Sequence, residues 1–331
     1  MQPLVMEVSP LKKNAFAKFV IRRVLTSVIV LFLVSVIVFI TVRACPGDPV
    51  ANRIGPYGDY SPENIARVEA ELGLDKSYVQ QYLIWVTNCL RGDLGVSLRN
   101  GVPIAEIVFP KLVTSLELIT AAILIALLIA VPSGILAGVR PGSVFDKISS
   151  ALSTSFLAMP SFCVGLVLIA VFSVELGVLP SNGYVPFAVS PKENLQFLIM
   201  PALTLGLFIS ASIYVFVRSD TADVIGSNFI RTAVAKGMRK QRIHFVHVLK
   251  NISVTIVTVT GTEFATLLGG TIIVEQLYGW SGLGWYIFSS VSNRDYPAVQ
   301  GSVLIVATAF VLINTVMDIL YAAIDPRIEL A

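Results

Sequence analysis

Gly279-Trp280-Ser281-Gly282 has the short GxSG form in which a serine within a membrane protein acts as a nucleophile. Such a serine needs a base within hydrogen-bond reach. The two histidines, His244 and His247, fall in a basic stretch that the hydropathy pattern places on the opposite side of the bilayer from Ser281, so intramembrane proteolysis is excluded. No Gly-Lys dipeptide occurs, so the chain has no Walker A phosphate cradle and cannot itself hydrolyse ATP by that route. Three cysteines, Cys45, Cys89 and Cys163, have an odd count and no metal-ligand spacing, which argues against a zinc site and a disulfide framework. Cys45 and Cys89 both fall in an outward-facing segment, where they are the pair able to bridge. No metal site is expected, and no enzyme constellation is left.

The remaining chemistry is charge. Glu263 is expected to be the deepest ionisable residue, at a cost of about 3 kcal/mol for a charge at mid-membrane. It either lines a pore or is a neutral, hydrogen-bonded carboxyl within the bundle. Glu117 and Asp318 fall nearer span ends and read as interfacial. From Arg218 to Lys250, seven basic residues stand against Asp220 and Asp223, leaving +5. A basic hairpin of this kind either rests on anionic lipid or meets a protein partner.

These groups must be positioned in lipid. Of 331 residues, 55% are hydrophobic and 14% charged, and the mean hydropathy is +0.79, too apolar for a soluble domain. The net charge of +3, with cations gathered at loop ends, excludes a nucleic-acid partner. Six segments suit the roughly 20 residues needed to span about 30 Å of hydrocarbon: 24–42, 115–139, 152–176, 198–217, 253–274 and 299–322. Lysines and arginines in the N-terminus, at Arg140 and Lys147, and in the +5 loop alternate with neutral or acidic connections at 175–197 and 275–297, which puts both termini in the cytoplasm. The first apolar run, 24–42, is too long for a signal core and is followed by Arg43, so an uncleaved first span is expected.

The organisation that follows is a cytoplasmic N-terminus (1–21), a first transmembrane helix (22–42), an outward subdomain (43–112), a core of five further helices (113–322) carrying the hairpin 218–250, and a cytoplasmic C-terminus (323–331). In the subdomain, Ser61-Pro62-Glu63 predicts a helix start and Gly73 its end, and 76–90 predicts a second, amphipathic helix with Tyr78, Tyr82 and Trp85 along one side. Those rings belong either at the outer lipid interface or packed on the bundle.

Ala122, Ala126, Ala130, Gly134 and Gly138 form a small-residue stripe in the second span, and Gly261, Ala265 and Gly269 repeat it in the fifth. Pro132, Pro160 and Pro201 lie inside spans and predict kinks. Within the hairpin, Ala222, Ile225, Phe229 and Ala233 share helical spacing up to a break at Gly237, and Phe245, Val248, Leu249 and Ile252 form a second stripe.

Arg231-Thr232-Ala233-Val234-Ala235-Lys236-Gly237 resembles the cytoplasmic signature of ABC importer permeases, an EAA triplet followed three residues later by Gly, in the form typical of the B-type subunit of the oligopeptide and dipeptide branch. Further matches are Leu72-Gly73-Leu74-Asp75, Arg91-Gly92-Asp93-Leu94-Gly95, Pro201-Ala202-Leu203-Thr204-Leu205-Gly206, Leu268-Gly269-Gly270, Asp295-Tyr296-Pro297 and Asp325-Pro326-Arg327-Ile328. Arg231 stands for the family's Glu, Thr255 for its usual Pro after the hairpin, and Ser281 for the proline of its tryptophan-Pro-Gly turn.

The resemblance implies an all-α integral membrane protein with six transmembrane helices in the type I importer permease fold, with a helical extracytoplasmic insertion between helices 1 and 2. It implies a non-catalytic permease of a peptide importer, paired with a second related permease, two cytoplasmic ATPases and an extracytoplasmic binding protein. No cofactor is expected on this chain; ATP and Mg would sit on the ATPases. Phe229, Arg231, Thr232, Ala233, Ala235, Lys236 and Gly237 are then the ATPase-coupling residues. Glu263, Gly269 and Gly270 are placed on the translocation path, and Tyr278, Trp280, Ser281 and Trp285 at an outer gate or interfacial anchor. Nickel, glutathione and other small peptide-like cargo remain open within the branch. A channel or secondary transporter is the rival class, although neither a charge relay nor an inverted repeat is visible.

Overall fold

The computed structural model describes residues 10–45, 47–55, 57–239 and 242–324, with backbone alone for 10–15, 244–245 and 320–324. The C-terminal motif 325–328, Lys240 and the side chain of Phe245 therefore lie outside the described residues. Five helices are long and apolar enough to cross a membrane, and a helix pair bent by 104° passes the same test of length and composition together. In chain order these are α1 (Pro10–Ala44), α5 (Ile104–Val139), the pair α6 (Val144–Ala158) and α7 (Ser161–Leu168), α8 (Pro191–Gly226), α10 (Leu249–Gly270) and α13 (Tyr296–Ile324). Three short helices, α2 (Pro49–Ile54), α3 (Pro62–Glu71) and α4 (Tyr78–Leu90), lie between α1 and α5. One, α9 (Asn228–Ala235), follows α8, and two, α11 (Ile272–Tyr278) and α12 (Leu283–Ser292), follow α10.

The centre is the contact of α5 with α8, and the small-residue stripe makes it. A Cβ on Gly134 would fall 2.7 Å from Val217 Cγ1, and one on Gly138 2.5 Å from the Arg218 carbonyl oxygen. Gly206 returns the approach from α8, 3.0 Å from the Ala122 oxygen. Lipid tails give no hydrophobic drive between spans, so this backbone proximity and its dispersion contacts hold the pair. Both helices have 36 residues, about 54 Å each. That exceeds the roughly 30 Å of hydrocarbon, so their ends stand clear of it.

Pro132 and Pro201 sit inside intact helices. Pro160 does not: the expected single span 152–176 is two helices meeting at Met159 and Pro160, and the second runs into a π-helical turn, Ile169–Glu175. The ring removes a donor and fixes the backbone before a new helix start, so the chain turns rather than kinks. The fifth span likewise stops at Gly270, short of the expected Val274. Its stripe is covered at two of three positions: Gly261 and Ala265 are buried, but Gly269 is exposed.

The short helices before α5 begin as their caps dictate. Ser61 accepts from the Asn64 amide, and Ser77 with Gln80 forms a reciprocal capping box. Tyr82 and Trp85 pack on Phe39 of α1 at 5.5 and 6.1 Å, with Tyr82 hydrogen-bonded to Ser35, so these two rings fasten α4 to the bundle. Tyr78 is exposed. Cys45 and Cys89 are free thiols. Along α1, Ser27 meets Thr315 at 2.6 Å and Arg23 pairs with Asp318, which gives that interfacial acid its partner.

Candidate functional site

The basic hairpin is built at the far end of α8. The sequence pattern runs one helix through Ala222 and Ala233, but α8 ends at Gly226 and Ser227 is extended (φ −72°, ψ 153°). The change of direction rotates the register. Ile230 and Ala233 become the buried face of α9, and Phe229, Arg231, Thr232, Val234, Ala235 and Lys236 are exposed. Helix α9 closes with a left-handed Gly237 (φ +72°). The Met238 amide reaches the Ala233 carbonyl at 3.2 Å and the Gly237 amide reaches Val234 at 2.9 Å, both bonds of a Schellman cap. Beneath it lie Ile243, Val248 and Ile252, all buried. The result is a rigid knob whose outer face carries two apolar side chains, Phe229 and Val234, beside the cations Arg231 and Lys236.

Two polar contacts brace its root. Thr255 donates its hydroxyl to the Asp220 carboxylate, joining α10 to α8. Arg218 forms a forked pair with the buried Asp146 of α6, with Nη2 to Oδ2 at 2.8 Å. Asp146 also accepts from the Gly142 amide at 2.8 Å.

On α10, Thr262, Thr266, Gly269 and Gly270 are exposed and Glu263 is half-buried. A Cβ on Gly269 or Gly270 would meet nothing within 4 Å. Thr262 and Thr266 donate to carbonyls one turn back at 3.1 and 2.9 Å. This helix therefore presents an uncovered polar strip at membrane depth, and such strips face cavities or partners rather than lipid.

Glu263 is half-buried, and another acid is more fully enclosed by protein. Glu275, expected in an outer loop, is fully buried in α11. Its carboxylate accepts from Ser115 at 2.6 Å, Thr271 at 3.0 Å and the Trp285 amide at 2.8 Å, and Ser115 in turn accepts from the Leu283 amide at 2.8 Å. These donors tie the first turn of α12 to α5, and burial pushes the Glu275 carboxyl upward against their pull. Neither hydropathy nor motif spacing flags this acid; its position one turn beyond a broken span is the signal.

The residues singled out for a gate separate into two kinds. Tyr278 and Trp280 are buried anchors. The Tyr278 hydroxyl meets Thr204 at 2.9 Å and the Gly165 carbonyl at 3.1 Å; the Trp280 indole donates to Thr114 at 3.0 Å and stacks edge-on with Tyr184 at 4.7 Å. Ser281 and Trp285 are partly open, and Lys111 joins them, 2.9 Å from the Ser281 hydroxyl and 5.1 Å from the Trp285 ring. Asp295 caps α13 and holds the Leu98 amide at 3.1 Å, which accounts for the Asp-Tyr-Pro motif. The hairpin, the polar strip and the turn from Tyr278 to Trp285 are three separate places on the chain, not one centre.

Residues 130–330 match the family described as binding-protein-dependent transport system inner membrane component, and residues 16–119 match the N-terminal region of such membrane components. The glutathione transport system permease protein GsiC of Escherichia coli O6:H1 is 37% identical over 311 residues, covering 94% of this chain and 98% of that protein. The dipeptide transport system permease protein DppB of Escherichia coli K12 is 37% identical over 336 residues with the same coverage. The inward-facing MetNI methionine ABC transporter shares the fold, with a TM-score of 0.51 at 19% identity over 66% of this chain and 96% of that one. With matches over most of its length, the chain belongs to the inner-membrane components of binding-protein-dependent transport systems.

Proposed function

We propose that the chain is the transmembrane permease subunit of an ATP-driven ABC importer for peptides, forming the translocation path with a second, related permease. The observation that carries this reading is the α9 knob, a capped helix held beyond the hydrocarbon by two 36-residue helices, on which Phe229 and Val234 are exposed along with Arg231 and Lys236. Exposed apolar side chains with cations on the same short helix suit a protein partner better than a lipid surface. A cytoplasmic ATPase gripping this face would move α8 and α10 together, because Thr255 and Asp220 link them.

Phe229, Arg231, Thr232, Ala235 and Lys236 then make the contact, while Ala233 and Gly237 shape it. The strip through Glu263, Gly269 and Gly270 borders the path, and the turn from Tyr278 to Trp285 closes its outer end, with Tyr278 and Trp280 as anchors and Ser281 and Trp285 at the opening. Closure of two ATPases rocks the bundles between inward and outward access, provided the knob makes different contacts in the two states. This chain performs no chemistry; ATP and Mg belong to the ATPases, and an extracytoplasmic binding protein delivers the cargo. Both termini lie in the cytoplasm of a plasma (inner) membrane.

The cargoes named for the two relatives, dipeptides and glutathione, favour a short peptide or peptide-like solute, with nickel complexes as the alternative within the branch. Purification in mild detergent and reconstitution test the reading. The expected result is a complex containing a P-loop ATPase whose uptake needs internal ATP; a lone homomer that transports without ATP supports the channel or secondary-transporter class instead.

A further inference from the structure

Helix α4 carries no charged side chain. From Ser77 to Leu90 there is no Asp, Glu, Lys, Arg or His, and Lys76 and Arg91 bracket the run. One side of the helix packs on the bundle: Tyr82 and Trp85 meet Phe39 of α1, and Tyr82 also lies edge-on to Phe32 at 6.5 Å. The adjoining side is uncovered. Val79, Leu83 and Leu90 are 69, 54 and 85% exposed, and the half-buried Val86 completes the i, i+4, i+7, i+11 pattern of one helical face. An apolar face of this kind has to be covered by something.

The place where α4 meets α1 says what covers it. Phe32, Ser35 and Phe39 all fall within the apolar run 24–42, which ends at Arg43. Phe39, touched by both rings, precedes Arg43 by four residues, about 6 Å along a helix. An arginine that closes a span marks the edge of the hydrocarbon. Amphipathic helices at that edge bury their apolar face about 5–10 Å deep. Phe32, which abuts Tyr82, is itself 56% exposed, so the surroundings of α1 at this level are those of α4 as well. Three polar side chains of α4 are partnered within the chain, as contact with lipid requires. The Gln80 oxygen accepts from the Ser77 amide at 3.2 Å, the Tyr82 hydroxyl meets Ser35 at 2.8 Å, and Thr87 donates to the Leu83 carbonyl at 2.6 Å.

We propose that α4 is an interfacial helix, its Val79, Leu83, Val86 and Leu90 face inserted among the acyl chains of the outer leaflet beside the end of the first span. The segment between α1 and α5 is then divided between two solvents. Helix α3, with Arg67 and Glu71 paired on its surface, stands in water, and α4 stands in lipid. This goes beyond the transport reading; only the choice of leaflet rests on it, through the cytoplasmic termini, and insertion can be measured whichever leaflet it is.

The test uses the full transporter, reconstituted with its partner subunits. A fluorescent unnatural amino acid is placed at Leu83 and, in a second protein, at Leu90, with a third label at the exposed Glu69 of α3 as the control in water. Two sites on the face keep the test decisive if one labelled protein fails to assemble. Lipid brominated on the upper part of its chains is expected to extinguish most of the emission at 83 and 90 and to leave that at 69 unchanged, whereas iodide in the buffer quenches the label at 69 alone. Iodide quenching at 83 and 90 as strong as at 69 puts the face in water and overturns the proposal. Protection from both quenchers means that a protein partner covers the face, and overturns it equally.

Discussion

Thr255 and Asp220 are joined by a hydrogen bond from hydroxyl to carboxylate that ties α10 to α8 at the root of the basic hairpin. A proline at position 255, the residue implied by the resemblance of the hairpin, has no side-chain donor for such a bond. The present chain fastens two helices that enclose the hairpin with a side-chain contact instead of a stiffened backbone. Thr255→Val, nearly the same shape, leaves a partly buried carboxylate without that donor, a loss of about 1–3 kcal/mol. The expected outcome is a lower thermal midpoint and a smaller ratio of solute imported to ATP consumed, with Thr255→Ser restoring both. Equal behaviour of all three proteins contradicts a bracing role.

The Asp146–Arg218 pair is the second brace, and its acid is buried while its base is about one-third exposed. Removing one partner of such a pair leaves an uncompensated charge at a cost of about 3 kcal/mol. Asp146→Asn is expected to lower the unfolding midpoint of the purified protein clearly more than Arg67→Gln, which breaks an exposed pair within α3. Comparable midpoints for the two variants count against the pair as a structural tie.

Glu275 predicts a pH effect. Burial raises its folded-state value above the unfolded 4.5, so its share of stability is complete below that value and is lost as pH rises through the folded one. Glu275→Gln does not titrate. The stability advantage of the wild type over this variant is therefore expected to shrink from pH 4.5 upward in thermal melts, and a constant advantage across that range contradicts the assignment.

A Cβ placed on Gly237 (φ +72°) would meet nothing within 4 Å, so a substitution there causes no clash and acts through the backbone alone. A β-branched residue in this region costs about 1–2 kcal/mol. Gly237→Val is expected to insert and assemble yet hydrolyse ATP with several-fold less uptake, measured in proteoliposomes. Undiminished uptake removes Gly237 from the coupling surface.

Much of this was legible because hydropathy and capping are local. The spans, the Ser61 cap and the stripe from Ala122 to Gly138 follow from short-range pattern, and the stripe packs as expected. What was hidden depends on neighbours. A proline in an apolar run permits a kink or a full turn, and only packing made Pro160 a 104° turn while leaving Pro201 within a helix. The turn at Ser227 separates Phe229, exposed, from Ala233, buried, although the two share helical spacing with Ala222 and Ile225, and periodicity across a break cannot reveal that. Glu275 looked like a loop acid because Ser115 comes from distant sequence and the Trp285 amide from across a turn that hydropathy does not show. Ser281 likewise acquires a purpose from Lys111, 170 residues away, whose ammonium donates to its hydroxyl.

The central claim, that the α9 face docks on a cytoplasmic ATPase, is tested most directly by placing a photo-cross-linking amino acid at Val234 in intact membranes. Val234 is 59% exposed on the outer side of the knob. The account predicts an adduct with a P-loop ATPase subunit whose yield changes on adding ATP, formed in inside-out vesicles. An adduct with lipid alone, or reaction of a cysteine at this position with an impermeant maleimide added outside sealed cells, contradicts it.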